Sequence, residues 1–165
     1  MLRRLFEALA ARSKLTQSEP LAACVGRGAW VNTPGKKRLI EELVVGDEII
    51  AVEPKTGEHV VTTITAIVSA EKECGMLRLA DGTTLSMAET QPVFDPSDLA
   101  FHPAGEWFSG ERSSLLRFND GKFQLASVAE RTPFFDIRTV FDLTVESPWQ
   151  TFVADGVVVH NKTEL

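Results

Sequence analysis

The chain is poor in the residues that carry redox, metal and proton chemistry: 165 residues contain two cysteines and three histidines. Cys24 and Cys74 lie fifty positions apart and form no disulfide framework, and no CxxC or His/Cys cluster has the spacing of a zinc site. No metal or other cofactor is therefore expected, and a reducing compartment is. The chain also lacks any apolar run approaching the roughly 20 residues that span a bilayer. An ordinary cleaved signal is disfavoured too, because Glu7, Arg12 and Lys14 interrupt what would be its apolar core. Excess positive charge is missing as well. Net charge is −6, and Met1–Ser18 holds four basic groups and one acidic, or +3, so the body carries −9. Such a body has no electrostatic footprint for nucleic acid.

What is present is a core-forming composition, 44% hydrophobic, enough for one domain with a short appendage. Leu2, Leu5, Phe6 and Leu9 fall at i, i+3, i+4 and i+7, which predicts an amphipathic helix over 2–15. Residues 13–20 read as its end and a linker. The helix either docks on the body or a neighbouring protein or attaches to an anionic membrane surface; the first is preferred, because one short helix with few aromatic anchors binds membranes weakly. The expected location is cytoplasmic, peripheral to a membrane only in the second case.

From Gly28 onward, short runs of Val, Ile, Thr and Phe alternate with Gly, Pro, Asp and Asn, the grammar of an all-β domain. Strands are expected over 29–33, 38–43, 48–53, 60–69, 75–80, 84–88, 114–118, 122–128, 134–139, 140–146, 150–154 and 157–160. Turns are expected at Pro34-Gly35, Lys55-Thr56-Gly57, Asp81-Gly82, Asn119-Asp120-Gly121 and Asp155-Gly156. An internal echo runs through this stretch at one constant offset. Gly46-Asp47 and the Gly57 turn correspond to Gly110-Glu111 and the Gly121 turn, and 60–64 corresponds to 124–128. The echo predicts two related β-subunits about a pseudo-twofold.

Two residues stand at the ends of this body. His160 runs directly into Asn161, whose side-chain amide can attack its own main-chain carbonyl, cutting the chain and closing to a succinimide while an imidazole moves protons. Taken alone, a His-Asn pair is more often a simple turn. At the other end, Ala22-Ala23-Cys24-Val25-Gly26-Arg27-Gly28 supplies a nucleophile. A nucleophile at one end and a cyclising Asn at the other is what a self-processing domain needs.

Four blocks extend the pattern: residues 24–35 continuing through 40–49, Asp81-Gly82-Thr83-Thr84-Leu85 with 88–94, Val140-Phe141-Asp142-Leu143-Thr144-Val145-Glu146 with 151–156, and Val157-Val158-Val159-His160-Asn161. On these residues the chain resembles the Hint (hedgehog/intein) domains, the self-processing module shared by inteins, bacterial intein-like domains and the C-terminal part of hedgehog proteins. The resemblance covers Cys24 to Asn161. It implies an all-β Hint fold with pseudo-twofold β-subunits, preceded by the helix and linker at 1–19, with the domain itself over 20–162 and a tail at 163–165.

It also implies roles. Cys24 would attack the carbonyl of Ala23 to make a thioester; Asp142 would sit beside the nucleophile and assist proton traffic; His160 and Asn161 would carry the downstream cleavage. The substrate would be the chain's own polypeptide, acting as a monomer. The family's Thr-x-x-His segment is here Ala88-Glu89-Thr90-Gln91. Gln91 can hydrogen-bond the scissile amide but cannot transfer a proton at neutral pH. The family's histidine two residues before Phe152 is here Gln150. Lys162 follows Asn161 where splicing needs Cys, Ser or Thr, and only three residues follow it, so cleavage without splicing is expected. The alternative is a catalytically impaired scaffold serving as an interaction module. Cys74 is expected in the core, His59 in solvent and His102 in a loop.

Overall fold

The computed structural model describes residues 23–161; the helix expected over 2–15 and the tail at 163–165 lie outside them. The described chain is built of β1 (Val25–Gly26), β2 (Trp30–Thr33), β3 (Lys36–Leu39), a 3-10 turn (Ile40–Glu42), β4 (Glu48–Glu53), β5 (Glu58–Leu79), β6 (Thr84–Met87), β7 (Pro92–Asp95), β8 (Ala100–Pro103), the one-turn helix α1 (Gly105–Phe108), β9 (Ser114–Asn119), β10 (Lys122–Val145), β11 (Thr151–Ala154) and β12 (Val157–His160). All strand pairings are antiparallel, in the order β3-β2-β11-β12-β9-β10-β1-β6-β5-β4, with β7–β8 branching from β12 and β5 also pairing β10. No described helix is long and apolar enough to cross a membrane.

The expected turns set the hairpins. Ala154 pairs Val157, leaving Asp155 and Gly156 as a two-residue loop with φ of 51° and 80°. Positive φ at both positions gives a twist that matches the flanking strands, which is why Asp-Gly is favoured there.

The internal echo is structural. β5 begins at Glu58 and β10 at Lys122, the same interval that separates Gly57 from Gly121, and each strand follows its own hairpin with β4 or β9. The two long strands pair with each other, and in that ladder Glu73 faces Ile137, its counterpart at the same offset. The pseudo-twofold therefore passes through this pair.

The long strands differ from expectation. β5 and β10 are each continuous over 22 and 24 residues, not two and three separate pieces. Their middles form a two-stranded ribbon joining the halves, where neither strand lies on the core. Without burial there is no alternation for the sequence to display. Pro133 fits because β10 bulges there: Pro133, Phe134 and Phe135 together oppose Gly75, and a bulge tolerates a residue that cannot donate.

Two short elements also differ from expectation. The run 38–43 is strand only to Leu39, then turns through Ile40–Glu42. The β7–β8 hairpin replaces an expected loop, so His102 is a strand residue paired with Val93, with Nε2 2.8 Å from Asp98 Oδ2. All four residues of β7 are buried, which erases the period-two signal.

The main core gathers Trp107, Phe152, Ile49, Leu77, Leu85 and Leu143. Trp107 is fully buried and satisfies its indole by donating to Ser114 O at 2.9 Å.

Candidate functional site

β1 is only two residues long, yet it is wedged between two strands. Val25 pairs Phe141 on one side and Met87 on the other. Extending both ladders by one step sets Cys24 across from Asp142 and beside Ala88, whose N–H donates to Cys24 O at 3.1 Å. Cys24 is completely buried, in a small cluster with Cys74, Ala88 and Val140. Neither cysteine is in a disulfide. Burial, then the Asp142 carboxylate, push the Cys24 thiol up to about 12, against a partial opposing pull from the Lys72 ammonium. At neutral pH the resting group is thus a thiol and not the nucleophilic thiolate.

Lys72 is the cation that sequence reasoning missed. It lies on β5 opposite Arg138, and antiparallel alternation puts it on the Cys74 face of the ribbon. No motif pointed to it, because its proximity to Cys24 comes from ladder register alone.

The segment Ala88-Glu89-Thr90-Gln91 closes a turn, with Gln91 N–H on Ala88 O at 3.0 Å. Ala88 thereby faces Cys24, while Gln91 faces β12. The Gln91 amide donates to Pro92 O at 2.9 Å and to His160 O at 2.6 Å. Both its donors are spent on main-chain carbonyls, and its fully buried Oε1 has no hydrogen-bond partner among the described residues. Turning the amide over would set Oε1 against two carbonyls, so the orientation is determined.

Asn161 is 1% exposed. Its Nδ2 donates to Leu143 O and to Gln150 Oε1, the latter at 2.6 Å, and its N–H donates to Gln150 O at 2.9 Å. Gln150 is itself fixed: its Nε2 donates to Val145 O and Ser147 O at 2.7 and 2.9 Å, and its backbone has φ of 53°. Gln150 is therefore the cradle of Asn161, a role that its position two residues before Phe152 did not disclose. Asn161 Oδ1 is buried with no partner among the described residues. The His160 ring meets Phe101 edge-on at 5.1 Å and lines a cleft of about 550 Å³ with Trp149, Leu99 and Thr151.

Of the sequence-predicted residues, Cys24 and Asp142 converge, Gln91 touches the main chain of His160, and Asn161 reaches Leu143, the neighbour of Asp142. His59 is exposed and packs on Phe118, and Cys74 is core. Among the described residues no group of three or more His, Cys, Asp or Glu side chains could hold a metal ion.

No family model and no curated protein matches the chain in sequence. Solved structures do match. A DnaB intein from Synechocystis sp. PCC 6803 superposes with a TM-score of 0.72 at 19% identity, over 84% of this chain and 98% of that one. A bacterial intein-like domain from Clostridium thermocellum gives 0.71 at 21%, over 84% and 99%. The gp41-1 intein gives 0.64 at 17%, over 84% and 98%.

The chain has the Hint fold. In this fold the β5–β10 ribbon joins the two halves, and β10 carries the residues toward which both ends of the domain run. At such low identity it is the path of the backbone that is shared.

Proposed function

We propose that this Hint domain is an autoprocessing domain whose substrate is its own polypeptide, cleaving after Asn161 and not splicing. The observation that supports this reading is a convergence. Cys24 stands across from Asp142, while the Asn161 amide is bonded to the carbonyl of Leu143, the next residue of β10. Residues at opposite ends of the domain thus meet at two consecutive positions.

At the upstream junction the chemistry is held back. Thioester formation would need Cys24 to lose its proton to Asp142 and the Cys24 nitrogen to gain one as it leaves the Ala23 carbonyl. The thiol is pushed up to about 12, and Gln91 directs its donors to Pro92 and His160. At the downstream junction, Asn161 Nδ2 would attack its own carbonyl carbon and lose a proton, while the Lys162 nitrogen gains one and departs, leaving a C-terminal succinimide. The two hydrogens of Nδ2 are held by amide oxygens, neither of which is a base. His160 is the adjacent imidazole, and its backbone carbonyl is fixed by Gln91. In this reading the domain is cytoplasmic, since a reducing compartment keeps Cys24 out of disulfides, and monomeric, since each chain is its own substrate.

A second reading, an impaired scaffold, is favoured by one feature: both donors of the Asn161 amide are already satisfied, as in a structural anchor. Intact mass spectrometry of the purified chain decides between them. The expected result is slow loss of everything after Asn161 with a C-terminal succinimide or Asn, abolished by Asn161→Ala and slowed roughly 10²-fold or more by His160→Ala. Equal loss in folded and urea-unfolded chains, or no loss over days, favours the scaffold.

A further inference from the structure

The middle of β10 presents an edge that no described strand covers. β9 pairs with Lys122 to Ser127 and β1 with Val140 and Phe141; between them, β10 has only β5 beside it. Into this stretch the bulge opposite Gly75 extrudes Phe134 and Phe135, 56% and 43% exposed, followed by Ile137 at 62%. Three large apolar side chains thus crowd one short length of an open strand edge. Natural proteins cover such an edge or blunt it with charge. Arg138 is no blunting charge, since its guanidinium is committed to Asp136 through two bonds at 2.9 and 2.8 Å and lies 5.3 Å over the Phe135 ring.

The surface beside this edge is acidic. Glu73 faces Ile137 and Glu71 faces Thr139, on one side of the ribbon, and both glutamates are exposed. What would cover it must therefore be apolar along one stripe and basic beside it. Residues 2–15 have that composition: Leu2, Leu5, Phe6 and Leu9 at helical spacing, with Arg3, Arg4, Arg12 and Lys14 around them.

We propose that residues 2–15 dock as an amphipathic helix over Phe134, Phe135 and Ile137 of the same chain, with their basic groups toward Glu71 and Glu73.

The tether permits it. Ala23 lies about six ladder steps from Ile137, roughly 20 Å along the sheet, and residues 16–22 reach about 23–25 Å when extended. A helix with its side chains is about 10–12 Å wide, and the patch from Phe134 to Ile137 spans roughly 10 Å of strand. A tether this short gives the intramolecular contact a high effective concentration, which favours this copy over a second one. The inference stands apart from the cleavage reading, because it needs neither Cys24 nor Asn161 to react.

The test is limited trypsin digestion of the full chain, following cleavage at Arg3, Arg4, Arg12 and Lys14 by mass spectrometry, with hydrogen exchange of the same segment alongside. Three proteins are compared: the natural chain, Phe6→Asp, and Phe134→Ser with Ile137→Ser. The expected result is protection in the natural chain, lost about 10-fold or more in both variants, since each removes one side of the same contact. The patch substitutions are at exposed positions, and an unchanged exchange pattern for the core strands verifies that the variant is folded. The proposal is overturned if all three are cut at the same rate, or if the patch variant keeps full protection. Protection that rises with protein concentration would overturn it in favour of a second copy. Co-flotation of the natural chain with phosphatidylserine vesicles, abolished by Phe6→Asp and indifferent to the patch, would overturn it in favour of a membrane.

Discussion

Burial sets the direction of the shift at Cys24, Cys74 and Asp155, whereas partners set it at Asp81, Asp136 and Arg112. Asp155 is the clearest case outside the site: desolvation pushes its carboxyl up to about 6, against the pull of the Trp30 N–H and of Lys37 and Arg117. A carboxyl whose native pKa lies above its unfolded value binds its proton more tightly when folded. Its contribution to stability is therefore full below pH 4 and is lost as pH rises from about 4 through 6. Asp155→Asn keeps the acceptor for Trp30 and tolerates φ of 51° while removing the buried charge. The variant is expected to be more stable than the natural chain by about 1–3 kcal/mol at pH 7.5 and no more stable at pH 4, as measured by urea unfolding at both pH values. A constant difference at both would mean that the charge is not what burial penalises. Cys24 obeys the same logic, with burial first and the Asp142 carboxylate second keeping it protonated.

At the scale of elements, packing is decided by where two strands let a third element approach. Gly75 on β5 lies opposite the β10 bulge, and a Cβ there would stand 2.6–2.8 Å from three ring atoms of Phe108 at the end of α1. The phenyl ring occupies the space that a side chain would take. Gly75→Ala is expected to destabilise the fold by about 1–3 kcal/mol, and Phe108→Leu in the same chain should recover part of the loss. The check is a double-mutant cycle by urea denaturation; additive effects would show that the ring and the glycine are not in competition. The same element level explains the unexpected β7–β8 hairpin. β7 reaches the core because Val159 of β12 pairs Val93, so its stability comes from a strand at the far end of the domain and not from its own short pattern.

For the whole molecule, the topology brings both ends of the domain to one strand. β1 runs along β10 so that Cys24 stands across from Asp142, while the Asn161 amide at the end of β12 donates to Leu143 O, the next residue of the same strand. The turn 88–91 lies between them, giving Ala88 to Cys24 and Gln91 to His160. If that turn sets the balance, Ala88→Thr with Gln91→His should supply the missing acid and raise hydroxylamine-induced release of the segment before Cys24 by roughly 10²-fold or more. The product is to be quantified by intact mass under denaturing conditions. No increase in a folded double variant would place the block at the buried thiol instead.

Much of this fold is legible in the sequence. Hairpin turns such as Asp155-Gly156 are local, because positive φ belongs to the dipeptide itself. The internal echo was legible because both halves repeat the same turn-and-strand chemistry. The order of Cys24, His160 and Asn161 along the chain pointed to a candidate site, to which the family resemblance added Asp142. The continuity of β5 and β10 was not legible, since the ribbon has no core to impress a period on its sequence. Nor were the partners of Gln91 and Gln150, or the nearness of Lys72 to Cys24. Those follow from register between strands far apart in the chain, where a shift of one residue would turn each side chain to the opposite face. Residue order alone fixes which groups are present; register and burial in the folded chain fix which of their hydrogens and lone pairs are already engaged.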